Sequence, residues 1–167
     1  RVDGFVAHVA TFMKITVADV RPLNVTGHEN LTFSQLDLMT NKELKQFGSV
    51  SCLHALEHFG LGRYGDPLDP AGTEKGLANI CNLVKAGGRL YVSFPISNRP
   101  RTVFNAHRVF APNHILTHDL IESHFILEDF FYVDDYGDLH PFDLARDDMA
   151  KLDLDFGCGI YTFNKRT

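Results

Sequence analysis

The spacing of apolar positions changes several times along the chain, and each change predicts an element. In "GFVAHVATFM" (4–13) Phe5, Val6, Val9, Phe12 and Met13 recur on one helical face. "KITVADV" (14–20) is a nearly continuous β-branched run, as expected of a strand covered on both sides, and Arg21-Pro22 ends it. After a polar loop, "LTFSQLDL" (31–38) reads as a second strand and "MTNKELKQF" (39–47) as a short helix or turn. "GSVSCLHAL" (48–56) is a third, buried strand.

"GTEKGLANICNLVKAGG" (72–88) places Leu77, Ile80, Leu83 and Val84 at helical spacing, with Gly87-Gly88 as the stop. The strand "RLYVSFP" (89–95) follows at once. "PNHILTHDLIESH" (112–124) opens with proline in the first-turn position and reads as a helix. Two further apolar runs, "FILEDFFYV" (125–133) and "GIYTFNK" (159–165), flank a polar loop. That loop holds eight aspartates between Asp134 and Asp155, with a short helix expected near 143–152. Strands alternating with helices imply crossover connections and a mainly parallel sheet. The last two strands lack a long crossover, so an antiparallel pair is expected at one edge. The expectation is one α/β domain spanning 1–167.

Composition narrows the function classes. The 167 residues are 44% hydrophobic and 22% charged, with net charge -5 and a pI near 5.9. A general nucleic-acid binder would need a basic field, so nucleic acid is not an expected partner. Cys52, Cys81 and Cys158 cannot all pair with one another, and two lie in apolar runs. They read as free thiols in a reducing compartment, and a cytoplasmic location is expected. No apolar run approaches the roughly 20 residues a spanning helix needs. The chain starts at Arg1-Val2-Asp3-Gly4 without methionine, which reads as a natural N-terminus lying upstream. Two N-x-[ST] triplets, at Asn24 and Asn30, matter only in a secretory compartment.

"CLHALEHFGLGRYGDPLDP" (52–70) carries the most chemistry. His54, Glu57 and His58 spell H-x-x-E-H, the zinc signature of one metallopeptidase group. That chemistry needs a continuous helix, so that residues i and i+4 face one metal. A strand enters the motif and Gly60 and Gly62 follow it, both of which oppose a helix. The alternative takes the motif as the carboxyl end of a strand, where open α/β sheets bind ligands. A glutamate between two histidines can move protons there. The bland alternative leaves the same residues as hydrogen-bonded structural groups.

The order "ITVADVRP", "FSQLDL", "SVSCLHALEH" and "LVKAGGRLYVSFP" resembles the class I S-adenosylmethionine-dependent methyltransferases, with Ala86 where proline is commoner. The longer words "LEHFGLGRYGDPLDPAG" and "FNAHRVFAP" look like a methyltransferase-like family of unknown function. The resemblance implies a Rossmann-like, doubly wound fold whose first glycine-rich strand is absent from this sequence. It implies S-adenosylmethionine as cofactor. On it, Asp19 accepts both ribose hydroxyls at a strand's carboxyl end, Arg21 belongs to the cofactor site, and Asp37 and Leu38 lie at the adenine. Asp3 and Gly4 fall beside the methionine portion, and His54 lines the cofactor.

It also implies an acceptor pocket built from the loops 59–72 and 96–112. Their glycines permit close backbone approach to a ligand. Arg63, Tyr64, Arg99, Asn105 and Arg108 are the candidates to bind a small-molecule or glycan-related acceptor. His58, Glu57 and His107 are the candidate bases. The runner-up function is a non-catalytic or degenerate methyltransferase-like binding domain; the zinc peptidase is a remote third.

Overall fold

A computed structural model describes residues 3–23, 28–40, 45–63, 65 and 67–167. The chain divides into two compact units, Arg1–Asn41 and Lys42–Thr167. The first N-x-[ST] triplet lies outside the described residues, as do residues 41–44 of the expected 39–47 helix or turn.

In the first unit the helix α1 (Gly4–Ala10) begins where the Asp3 carboxylate accepts the Val6 N–H at 3.0 Å. Such a cap satisfies one of the four unpaired donors at a helix start. The strand β1 (Ile15–Asp19) pairs in parallel with β2 (Leu31–Gln35), in a register running from Ile15 opposite Leu31 to Asp19 opposite Gln35. The Thr16 and Thr32 hydroxyls meet across the pair at 2.9 Å. Asp19 therefore stands at the carboxyl end of a parallel strand, with Asp37 just past the same end of its neighbour.

The second unit is built on a five-stranded sheet in the order β3-β4-β9-β7-β8. Its members are β3 (Phe47–Leu53), β4 (Val84–Ile96), β7 (Phe125–Val133), β8 (Leu139–Pro141) and β9 (Gly157–Lys165). The pair β3–β4 is parallel and joined by the helix α2 (Gly72–Leu83); β4–β9, β9–β7 and β7–β8 are antiparallel. A hairpin of β5 (Arg101–Val103) and β6 (His107–Val109) projects after β4, and the helix α3 (Asp119–His124) precedes β7. The arrangement is the Rossmann-like α/β fold with an antiparallel C-terminal set. The two apolar tail runs do pair, as β7 and β9.

The core lies against the middle of this sheet. Leu90, Val92, Phe94 and Ile96 of β4 are fully buried, as are Tyr161 and Phe163 of β9 and Phe130 of β7. Tyr161 stacks on Phe94 and Phe130 with centroids 5.1 and 4.7 Å apart, and its hydroxyl donates to the Pro112 carbonyl at 2.6 Å. Leu77 and Ile80 of α2 close the same core.

Several boundaries differ from the sequence expectation. The helix ends at Leu83, not at Gly87-Gly88, because Val84 already pairs with Phe47. The pairing then jumps to Ser49 opposite Arg89, so the glycine pair sits in an irregular stretch at the start of β4. The 112–124 helix is a 3-10 turn (His114–Thr117) followed by α3, with His118 extended between them. Near 143–152 only the 3-10 turn Met149–Lys151 forms. Among the described residues, no helix is long and apolar enough to cross a membrane.

Candidate functional site at the end of β3

The strand β3 stops because His54 turns left-handed (φ 49°), an uncommon state for a residue with a side chain. Its N–H still donates to the Ser93 carbonyl at 2.9 Å, so the turn is anchored to β4. One 3-10 turn, Leu56–His58, follows, and Gly60 is left-handed again. "HALEH" is thus a strand end with a single tight turn. The continuous i, i+4 helix face that the peptidase signature needs does not occur here.

The tight turn drives Glu57 inward. Its side chain is 2% exposed, and it bridges the two histidines. Glu57 Oε1 lies 3.2 Å from His54 Nδ1 and 3.8 Å from His58 Nε2. Its other oxygen, Oε2, is buried and has no hydrogen-bond partner among the described residues. A buried carboxylate costs free energy unless its oxygens are satisfied, so this group is unusual for a structural role.

The tautomers follow from the partners. A carbonyl only accepts, so His58 donates from Nδ1 to the Ala106 oxygen at 2.6 Å. That leaves Nε2 as the basic nitrogen. Across the turn, His54 Nε2 lies 3.3 Å from Cys158 Sγ on β9. The Cys158 contact, and next the Glu57 hydrogen bond, raise the His54 imidazole to about 10. Beside it, burial and then the Glu57 charge push the Cys52 thiol up to about 12. His107 completes the cluster, its ring 6.5 Å from His58 and 5.6 Å from Phe156.

Both proposed acceptor loops converge on this turn. Arg63 Nη1 donates to Ala106 O at 2.9 Å, and Arg108 Nη1 to Phe59 O at 2.6 Å. These arginines are therefore tied to backbone carbonyls, and burial holds Arg108 below its ordinary value. Asn105 occupies the hairpin turn with φ 55°, a conformation asparagine tolerates well. Gly60 does make a close approach, but to its own chain. A Cβ there would run into the Asp69 carbonyl, and Gly60 O accepts the Asp69 N–H at 2.9 Å. Arg99 lies past Ser97, whose hydroxyl accepts its N–H at 2.9 Å. Tyr64 lies outside the described residues.

In the first unit Arg21 grips Asp19 three times, from N and Nε to Oδ1 (2.9 and 3.1 Å) and from Nη2 to Oδ2 (3.0 Å). These contacts hold the Asp19 carboxyl below its ordinary 3.8. A carboxylate offers about four acceptor positions, so roughly one remains, on Oδ2. That admits one ribose hydroxyl, not the two the resemblance implies, unless Arg21 moves. Asp37 Oδ1 accepts the Met39 N–H at 2.8 Å and shapes a turn. Asp3, as described, caps α1.

Two surface hollows are not lined by His54, Glu57 or His58. One is lined by Glu74, His114 and His118, the other by Arg101, Arg108, Phe110 and His114. Neither contains a buried, unpartnered charge, so the Glu57 turn is the better candidate site. Sequence reasoning missed Cys158 and Phe156. Cys158 stands 104 residues from His54, and no spacing rule links them.

Residues 19–146 match the family described as "Caenorhabditis protein of unknown function, DUF268". No curated protein matches the sequence. Among solved structures, the [4+2]-cyclase SpnF superposes with TM-score 0.63 at 15% identity, covering 96% of this chain and 71% of that one. The N-methyltransferase NodS from Bradyrhizobium japonicum WM9, in complex with S-adenosyl-l-homocysteine, gives 0.57 at 12%, covering 92% and 67%. A Burkholderia thailandensis 1,6-didemethyltoxoflavin-N1-methyltransferase, with bound 1,6-didemethyltoxoflavin and S-adenosylhomocysteine, gives 0.57 at 17%, covering 92% and 62%. At such identities the likeness is one of fold.

Proposed function

The chain belongs to the DUF268 family of unknown function, and from that premise we propose that it is an S-adenosylmethionine-dependent methyltransferase acting on a hydroxyl or amine of a small-molecule or glycan-related acceptor. The observation that carries this reading is Asp19, an ionised acid closing a parallel strand of a methyltransferase-like fold. Ligands in open α/β sheets bind outside such carboxyl ends.

S-adenosylmethionine, when bound, would supply an activated methyl group for in-line displacement. In the first unit, Asp19 Oδ2 would accept from a ribose hydroxyl, and Asp37, beside Leu38, would accept from the adenine amino group. Asp3 and Gly4, at the start of α1, would hold the methionine portion. In the second unit, His58 Nε2 takes the proton from the acceptor. Its Nδ1–H is fixed on Ala106 O, and Glu57 stabilises the imidazolium that forms. Arg99 and Asn105 contact the acceptor; Arg63 and Arg108 shape the loops around it. Positioning supplies most of the rate in such a displacement.

Calorimetry of the full-length protein with S-adenosylmethionine and S-adenosylhomocysteine tests the reading. Binding in the micromolar range, weakened about tenfold or more by Asp19→Ala, is expected, the loss of one charge-assisted hydrogen bond being worth about 1.5–3 kcal/mol. Absence of binding at millimolar ligand overturns it. A non-catalytic binding domain is the second reading, favoured by one observation: Arg21 already fills most of the Asp19 carboxylate.

A further inference from the structure

We propose that Cys158, His54 and Glu57 form a nucleophilic thiol site that reacts with small disulfides. The three side chains stand in line. Glu57 Oε1 accepts from His54 Nδ1 at 3.2 Å, which fixes the imidazole tautomer and turns Nε2 toward the sulfur. Nε2 lies 3.3 Å from Cys158 Sγ, closer than the competing Gly159 carbonyl at 3.6 Å. A nucleophile, a base and a group that orients the base are the parts of an activated nucleophile.

Two further observations separate this cluster from a chance contact. The orienting carboxylate is 2% exposed and keeps an oxygen with no hydrogen-bond partner among the described residues, so its hold on the neighbouring ring is shielded from solvent. His54 is held in its left-handed turn by the Ser93 carbonyl, while its side chain remains 53% exposed. A small molecule can therefore reach the ring edge. The same contacts keep the imidazole protonated up to about 10.

The other two thiols behave differently. Cys52 and Cys81 are buried, and burial pushes each up to about 12. Thiol reactivity follows thiolate character and access, so only Cys158 combines a cationic partner with partial exposure among the three.

The reaction balances without an outside oxidant beyond the disulfide itself. His54 Nε2 carries its proton toward the sulfur, and Cys158, reacting as the thiolate beside that imidazolium, attacks one sulfur of RS–SR. The Sγ–S bond forms, the S–S bond breaks, and the departing thiolate takes the proton from Nε2 as RSH. Attack on sulfur puts the developing charge on the leaving sulfur, beside the imidazolium. It requires no oxyanion-binding pair of N–H donors, which is why disulfides suit this site better than acyl groups.

The test is the rate of Cys158 labelling by iodoacetamide at neutral pH, and of mixed-disulfide formation with glutathione disulfide, read by peptide mass spectrometry. Cys158 should react roughly tenfold faster than free glutathione, as expected for an accessible thiol set against a cationic imidazole. Cys52 and Cys81 should stay unlabelled, which reports that the fold is intact. His54→Asn tolerates the left-handed turn and removes the imidazole; it should bring Cys158 to the glutathione rate. Glu57→Gln keeps the geometry and removes the charge, and should slow labelling several-fold. A wild-type rate no faster than glutathione overturns the proposal, whatever the variants do. So does an undiminished rate in His54→Asn with Cys52 and Cys81 still protected.

Discussion

His58 and Arg63 share one acceptor, the Ala106 carbonyl, at 2.6 and 2.9 Å. The oxygen has two lone pairs, and both are used to lock the β3 turn to the β5–β6 hairpin. Removing either donor leaves the other in place, so each of His58→Ala and Arg63→Ala should cost only about 0.5–1 kcal/mol. The double variant should cost more than the sum, because the half-buried carbonyl then loses both partners. Urea denaturation of the four proteins measures the coupling; strict additivity would contradict the shared acceptor. Long-range nitrogen–proton spectra should also show the neutral His58 ring as the Nδ1–H form.

Asp19 makes stability depend on acid. Arg21 holds its carboxyl below 3.8, so the unfolded chain binds the proton more tightly than the folded one. The pair's contribution is complete above pH 3.8 and is lost as pH falls through the lower, folded value. Wild type should therefore exceed Asp19→Asn in stability at neutral pH, and the gap should close only below about pH 4. Denaturant midpoints across pH 2–7, a window chosen to bracket about one carboxylate titration, give the result. A gap independent of pH would show that the Asn variant differs by packing, not charge.

The elements legible in the sequence were those whose apolar period is set by the core. β1, β3, β4, β7 and β9 fall within a few residues of the runs that predicted them. The hairpin β5–β6 and the short β8 were not legible, since three-residue strands carry no measurable period. Gly87-Gly88 misled because glycine marks a helix stop and a strand irregularity alike. At the site, the H-x-x-E-H string disclosed the Glu57 bridge between two histidines, but its partners come from far along the chain. Ala106 contributes a backbone oxygen, which sequence never distinguishes, and Cys158 follows only from the antiparallel return of β9.

Gly60 and Gly65 have similar backbone angles, φ 72° and 81°, and different surroundings. A Cβ at Gly65 meets nothing within 4 Å, whereas one at Gly60 strikes the Asp69 carbonyl and crowds Gly72. Gly65→Ala should cost about 1 kcal/mol, the strain of a left-handed alanine alone. Gly60→Ala carries that strain and the clash, so its loss should be larger by about 1 kcal/mol or more, as for overpacked sites. Denaturation midpoints decide it. Equal losses would mean that the 60–72 loop yields freely and does not clamp the turn bearing Glu57.

Tyr161 ties the centre of the sheet to the segment before α3. It is fully buried between Phe94 and Phe130, and its hydroxyl, 2.6 Å from the buried Pro112 carbonyl, cannot exchange that partner for water. Burial accordingly pushes the phenol far above its ordinary 10. Tyr161→Phe preserves the stacking and removes only the donor, leaving the carbonyl unpaired at a cost of about 1–3 kcal/mol. Tyr161→Leu also loses the ring contacts and should cost more, about 2–5 kcal/mol. The phenylalanine variant is the discriminating one. If its urea midpoint matches wild type, the hydrogen bond contributes nothing net, and the stacking alone holds β9 against β4 and β7.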